Sequence, residues 1–214
     1  MAGQNRALTV TLDREDVREV ERVLSGIRNG ADTAILRSVN KALTGAKTDM
    51  ARETAKILNL TQKRIKKDIK VKKASKTNLS GRVESTGKPV NLMQFKARQK
   101  KKGVSVKVLK QGGRKTIPGA FIFVGRNQNQ LVGWRKKTST NAQYIGSEKK
   151  KPWMSYGALP RQYRFPIEGL YGPRIQDITA RDEVINKIEV GAQQRMKKEL
   201  AHQVQRILDK HRML

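Results

Sequence analysis

Two apolar stripes dominate the chain. From residue 180 to 210, Ile185, Ile188, Ala192, Met196, Leu200, Val204 and Ile207 recur every three or four residues. That spacing places one apolar face along a single α-helix. Earlier, Ile35, Val39, Ala42, Ala46, Met50, Thr54 and Ile57 keep the same step, widened by Leu36, Leu43 and Leu58. A helix over 32–59 would run about 40 Å at roughly 1.5 Å per residue, a rod reaching beyond one small core. Asp32 or Thr33 offers its N-cap, and Gly45 inside it suggests a close neighbouring backbone. Thr179-x-x-Asp182 reads as a capping-box variant opening the C-terminal helix.

Shorter signals lie around these rods. ALTVTL (7–12) alternates as a strand, and Asp13 caps a short helix that Asn29-Gly30 would stop. Thr61 can cap a further turn through Ile65, after which Ile69-Lys70-Val71 becomes extended. From about 69 to 175 the pattern turns to short alternating runs: NLSGRVEST (78–86), GVSVKVLK (103–110), AFIFVG (120–125) and QLVGWRK (130–136). Gly, Pro and Asn separate them, the mark of antiparallel strands. In TIPGAFIFV (116–124), Pro118-Gly119 is expected to launch a strand that is apolar on both faces. Burial on both sides is the expectation for it. Residues 138–160 carry no period and read as a long loop. The expected fold class is α+β: a curved antiparallel β-sheet packed by long N-terminal and C-terminal helices. A single domain is expected over 1–214, with 1–68 mainly helical, 69–175 β-rich and 178–212 the C-terminal helix.

Charge limits what that fold can do alone. The 214 residues hold 47 Lys+Arg against 18 Asp+Glu, a formal charge of +29, with 36% hydrophobic residues. Such a charge repels itself until an anionic partner arrives. There are no cysteines, so disulfides, thiol catalysis and Cys-based zinc sites are excluded. No apolar run is long enough to span a membrane, and the N-terminal stretch lacks the pattern of a secretory signal.

Catalytic chemistry finds little support. Between 69 and 167 the only acids are Glu84 and Glu148, too few for a two-metal centre. His202 falls off the apolar stripe of its helix, and His211 lies near the C-terminus. Gln111-Gly112-Gly113-Arg114 reads as a hairpin turn before a phosphate nest. No catalytic residue, metal ligand or cofactor is therefore expected.

The basic clusters are the candidate sites. Residues 61–76 hold Lys63, Arg64, Lys66, Lys67, Lys70, Lys72, Lys73 and Lys76 against Asp68 alone, a net charge of +7. A second cluster is Lys96, Arg98, Lys100, Lys101 and Lys102, a third Arg135, Lys136 and Lys137, a fourth Lys149, Lys150 and Lys151. With 5% aromatic residues, base stacking has few platforms. Contact with DNA would be non-specific, through phosphates, and sensitive to salt.

Four stretches carry a family resemblance: RSVNKALTGAKTDMARETAK (37–56), LTQKRIKKDIKVKKAS (60–75), IPGAFIFVG (117–125) with the Trp134-Arg135 strand, and FPIEGLYGPRI (165–175). In order and spacing the chain resembles the phage minor tail protein Z family of tail-completion proteins, with loop 138–160 departing from the pattern. The resemblance implies a structural virion protein, not an enzyme, at the head-proximal end of the tail. It implies a neck subunit that joins tail to head and positions DNA. The expected partners are copies of itself in a hexameric ring, tail terminator or tail tube proteins, head-tail connector proteins, and phage DNA. A general nucleic-acid binder of nucleoid or ribosomal type is the competing expectation.

Overall fold

The computed structural model describes residues 7–125, 127–135 and 167–212. The chain divides into two compact units, one formed by residues 1–88 with 173–214 and the other by 89–172.

In the first unit the stripes become helices α1 (Arg14–Val23), α2 (Gly30–Ile57), α3 (Gln62–Lys67), α4 (Ile175–Thr179) and α5 (Asp182–Arg212). The two long ones pack together, with Ile35, Val39, Ala42, Leu43, Ala46 and Met50 of α2 and Ile188, Ala192, Met196 and Leu200 of α5 all buried. Their directions oppose: Arg37 and Asn40 near the start of α2 share a cleft with Gln203 and Arg206, whereas Asp49, further along, pairs with Arg195. Small side chains at Ala42, Ala46 and Ala192 let such helices approach closely. Strands β1 (Leu8–Val10), β2 (Ile69–Lys72) and β3 (Gly81–Ser85) form an antiparallel sheet in the order β1-β3-β2. Val83 at its centre is fully buried. A Cβ on Gly81 would strike Leu43 of α2 and the backbone oxygen of Lys72, so this glycine sets how closely the sheet lies on the helix.

Three local expectations are corrected here. Asn29 does not stop a helix: α1 ends at Val23, and Asn29, in the left-handed region at φ 55°, leads directly into α2. Asparagine tolerates that conformation better than most residues. The Thr33 hydroxyl donates to the Asn29 carbonyl at 2.7 Å, so Thr33 sits in the first turn and is not its cap. Thr179 is buried at the end of α4 and donates to the Gln176 carbonyl at 3.0 Å, so α5 starts afresh at Asp182 without a capping box. The expected cap at Thr61 is present: its hydroxyl oxygen accepts from the Arg64 amide at 3.4 Å.

The second unit is built of strands. β4 (Arg98–Lys100), β5 (Gly103–Val106) and β6 (Lys115–Pro118) form one antiparallel sheet, and β7 (Phe121–Val124), β8 (Gln130–Arg135) and β9 (Ile167–Gly169) another. The antiparallel strands of the described residues are thus shared among three small sheets, and the fold class is α+β. A 3-10 turn at Leu92–Phe95 supplies Phe95, the largest fully buried side chain. Asn91 holds that turn to β8, its Oδ1 accepting from the amides of Met93 at 3.0 Å and Val132 at 3.2 Å.

Pro118 closes β6, Gly119 turns at φ 71°, and β7 leaves for a different sheet. The expected pairing of β7 with LVGWR is observed, Phe121 opposite Gly133 and Phe123 opposite Leu131. The expected burial on both faces is not. Phe121, Ile122 and Phe123 are half-buried and Val124 is 65% exposed. Among the described residues β7 has one strand partner, β8, so an edge strand whose residues are all apolar mimics a central one in sequence. The long loop expected at 138–160 lies outside the described residues.

Candidate nucleic-acid interface

The basic segment 61–76 starts from a capped helix and ends in a strand. Ile65, fully buried, and Ile69, nearly so, pin α3 and β2 to the core of the first unit, and this fixes which side chains face out. Lys63, Lys67, Lys70, Lys72, Lys73 and Lys76 are exposed, and Lys66 is half-buried.

β2 alternates, with Ile69 and Val71 toward the core and Lys70 and Lys72 outward. Register puts Lys70 opposite Glu84 and Lys72 opposite Arg82. Arg82 thereby joins the outer face, a contributor the charge runs did not mark. Its signal was present in NLSGRVEST, where alternation about Val83 turns Arg82 and Glu84 outward together.

The carboxylates of this face are already engaged. Asp68 accepts from Arg64 Nη1 at 2.7 Å, both side chains being three-quarters or more buried. The charge of Arg64 is therefore neutralised locally. Glu84 lies 4.0 Å from Lys72 Nζ and 3.7 Å from Arg82 Nε. Exposed pairs of that kind contribute little, about 0–1 kcal/mol, so the face remains strongly positive.

The second cluster belongs to the other unit. Lys96 takes a left-handed conformation at φ 54° beyond the 3-10 turn. Arg98 and Lys100 lie on the exposed strand β4, and Lys101-Lys102 form the two-residue turn into Gly103. Arg135 ends β8 with its guanidinium 5.6 Å from the centroid of the Phe121 ring. Lys136, Lys137 and the Lys149–Lys151 run lie outside the described residues. Arg114, from the glycine-rich turn, folds back along the surface onto β5: it donates to the carbonyls of Lys96 and Ser105, each at 2.7 Å, and to Ser105 Oγ at 3.2 Å. That turn is a clamp on β5.

A second basic surface joins one residue of the first charge run to three that no run marks. Arg37 and Lys41 on α2, Lys73 after β2 and Arg206 on α5 line a cleft of about 600 Å³ in the first unit. Arg37, Lys41 and Arg206 stand outside the charge runs, and the fold alone brings them together with Lys73.

Among the described residues no group of three or more His, Asp or Glu is placed to hold a metal ion, and no helix is long and apolar enough to cross a membrane. A packed helical body with a solvated cationic face is suited to holding a surface against an anionic partner. The chain belongs to the prophage minor tail protein Z (GPZ) family, whose model matches residues 17–212. It is a bacteriophage minor tail protein, a structural component of the virion tail. No curated protein and no solved structure matches the chain.

Proposed function

We propose that this protein is a tail-completion subunit at the head-proximal end of the tail, forming a ring whose α3–β2 face contacts the phosphates of passing DNA without reading sequence. The role is structural, not catalytic. One observation carries the reading: lysines at 63, 67, 70, 72, 73 and 76 stand exposed on a rigid base. Asp68 is meanwhile engaged by Arg64 and Glu84 by Lys72 and Arg82. A ring repeats that face at every subunit, so modest clusters add to a strongly positive surface. Phosphate contact without base readout suits a channel that DNA must traverse.

The test is charge reversal at Lys63, Lys66 and Lys67, sparing Arg64 because it anchors Asp68. Removing one lysine–phosphate pairing should flatten the dependence of log K on log salt by about 0.9, so the triple variant should lose about 3 in slope. Circular dichroism should stay unchanged and particle infectivity should fall. Wild-type infectivity with an unaltered salt slope would remove this face from DNA contact. Light scattering separates the ring from the nucleoid-type alternative, for which a monomer binding duplex tightly is the expected result.

A further inference from the structure

The cleft between α2 and α5 is lined largely by side chains outside the α3–β2 face, Lys73 being the one that the two share. Arg37 and Lys41 stand one turn apart on α2, Arg206 faces them from α5, and Lys73 closes one side. Lys73 is brought there by Asn40, whose side-chain amide donates to the Ala74 carbonyl at 3.3 Å while its oxygen accepts from the Ala74 amide at 3.0 Å. None of these four cations has an ion-pair partner among the described residues. The one carboxylate among the described residues lining the cleft, Glu199, accepts from Gln203 Nε2 at 2.9 Å. Gln203 is only 6% exposed, and its Oε1 has no hydrogen-bond donor among the described residues.

We propose that this cleft binds an acidic peptide segment of a neighbouring protein. A ligand suited to the cleft supplies negative charge for four cations and can complete the hydrogen bonding of Gln203 Oε1 with a donor of its own. Phosphodiester oxygens at neutral pH are acceptors only, and DNA presents them on a convex surface, so a duplex leaves Gln203 unsatisfied. A peptide brings both groups: side-chain carboxylates, and backbone N–H groups that must find acceptors when buried. The cleft is an open groove of about 600 Å³, which an extended segment can lie along without being enclosed. The inference does not rest on DNA contact by α3 and β2, and each can fail without the other.

The experiment titrates the full-length protein with a fluorescent hexaglutamate peptide at physiological salt. Saturable binding is expected. Arg37→Gln with Lys41→Gln should weaken it by about tenfold, the scale of truncated charge pairs. Lys63→Gln with Lys67→Gln removes the same charge outside the cleft and should change it by less than about twofold if attraction is local. Gln203→Met keeps length and charge but removes the acceptor together with the donor to Glu199, so Glu199→Gln serves as background, and on that background Gln203→Met should still weaken binding by about threefold or more. Equal losses from the two lysine- or arginine-directed pairs would show diffuse attraction and overturn the site. So would an unchanged affinity when Gln203→Met is added to Glu199→Gln. Should that variant fail to fold, the side-chain amide resonance of Gln203 in the wild type must shift on adding peptide, and an unmoved resonance overturns the proposal. Displacement of the peptide by duplex DNA, with cleft resonances shifting toward the DNA-bound positions, would reassign the cleft to nucleic acid.

Discussion

The two units distribute the same thin supply of apolar residues differently. The helical unit concentrates it: α2 and α5 turn whole stripes inward, and at Val39, Ala42, Leu43, Ala46 and Ile188 nothing is left to solvent. The β unit spreads it across small sheets. Among its described residues the fully shielded side chains are few, with Phe95, Val104 and Val132 at 0% exposure, while Val124, Trp134, Ile167 and Tyr171 are each more than 40% exposed. The difference is geometric. A long helix repeats its buried face every turn, so each added turn adds core. A three-stranded sheet whose strands run three to six residues buries little beyond its central strand. The first unit thus provides rigidity, and the second rests on a handful of anchors.

The largest expected effect tests that dependence. Phe95 is the biggest of the anchors, and a Cβ on Gly172 would lie 2.8 Å from its ring, so the backbone already packs tightly there. Phe95→Ala should cost about 3–5 kcal/mol. Amide exchange is the informative readout: β5 and β8 should lose protection while α2 and α5 keep theirs. Equal loss in both units would show one cooperative structure and end the contrast. Phe121→Ala should do much less. Its ring is half-buried, 5.9 Å from Phe123 and under the Arg135 guanidinium. Roughly half the area of a core aromatic is at stake, so about 1–2 kcal/mol is expected in chemical denaturation. A loss as large as that of Phe95→Ala would mean that β7 is covered in solution.

What was legible in the sequence follows the same divide. The helical stripes predicted 32–59 and 180–210, and the helices span Gly30–Ile57 and Asp182–Arg212. A periodicity of 3.6 records burial locally, so it survives without knowledge of the partner. The strands were harder. GVSVKVLK alternates, yet all four residues of Gly103–Val106 are buried: β4 and β6 flank β5, and Arg114 folds onto Ser105 on the face opposite the valines. β4 did not read as a strand at all: Arg98, Gln99 and Lys100 are all exposed and carry no alternation. In the candidate interface the charge runs were visible, but their use was not. Arg64 and Asp68, four apart on one helix face, could have been paired from sequence. Arg37, Lys41, Lys73 and Arg206 meet only through the antiparallel packing of α2 and α5, which no local pattern encodes.

The smallest expected effect lies inside that packing. Gly45 was expected to admit a neighbouring backbone. It admits a side chain instead, because a Cβ there would run into the guanidinium of Arg195, which crosses the position to reach Asp49 Oδ2 at 2.7 Å. Gly45→Ala therefore sets two terms against each other. Alanine in a helix interior gains about 1 kcal/mol over glycine. Displacing a part-exposed ion pair forfeits about 0–1 kcal/mol by the usual measure of such pairs. Arg195 Nη1 is buried without a hydrogen-bond partner among the described residues, so its guanidinium has a reason to swing toward water once pushed. The obstacle is the far end of a long, flexible side chain, not backbone, and the net change should stay within about 1 kcal/mol of zero. Thermal unfolding of Gly45→Ala beside Asp49→Ala and the double variant gives the coupling directly. A loss above about 2 kcal/mol in Gly45→Ala alone would show that α2 and α5 cannot yield there, and that the helical unit is more tightly packed than its exposed ion pair suggests.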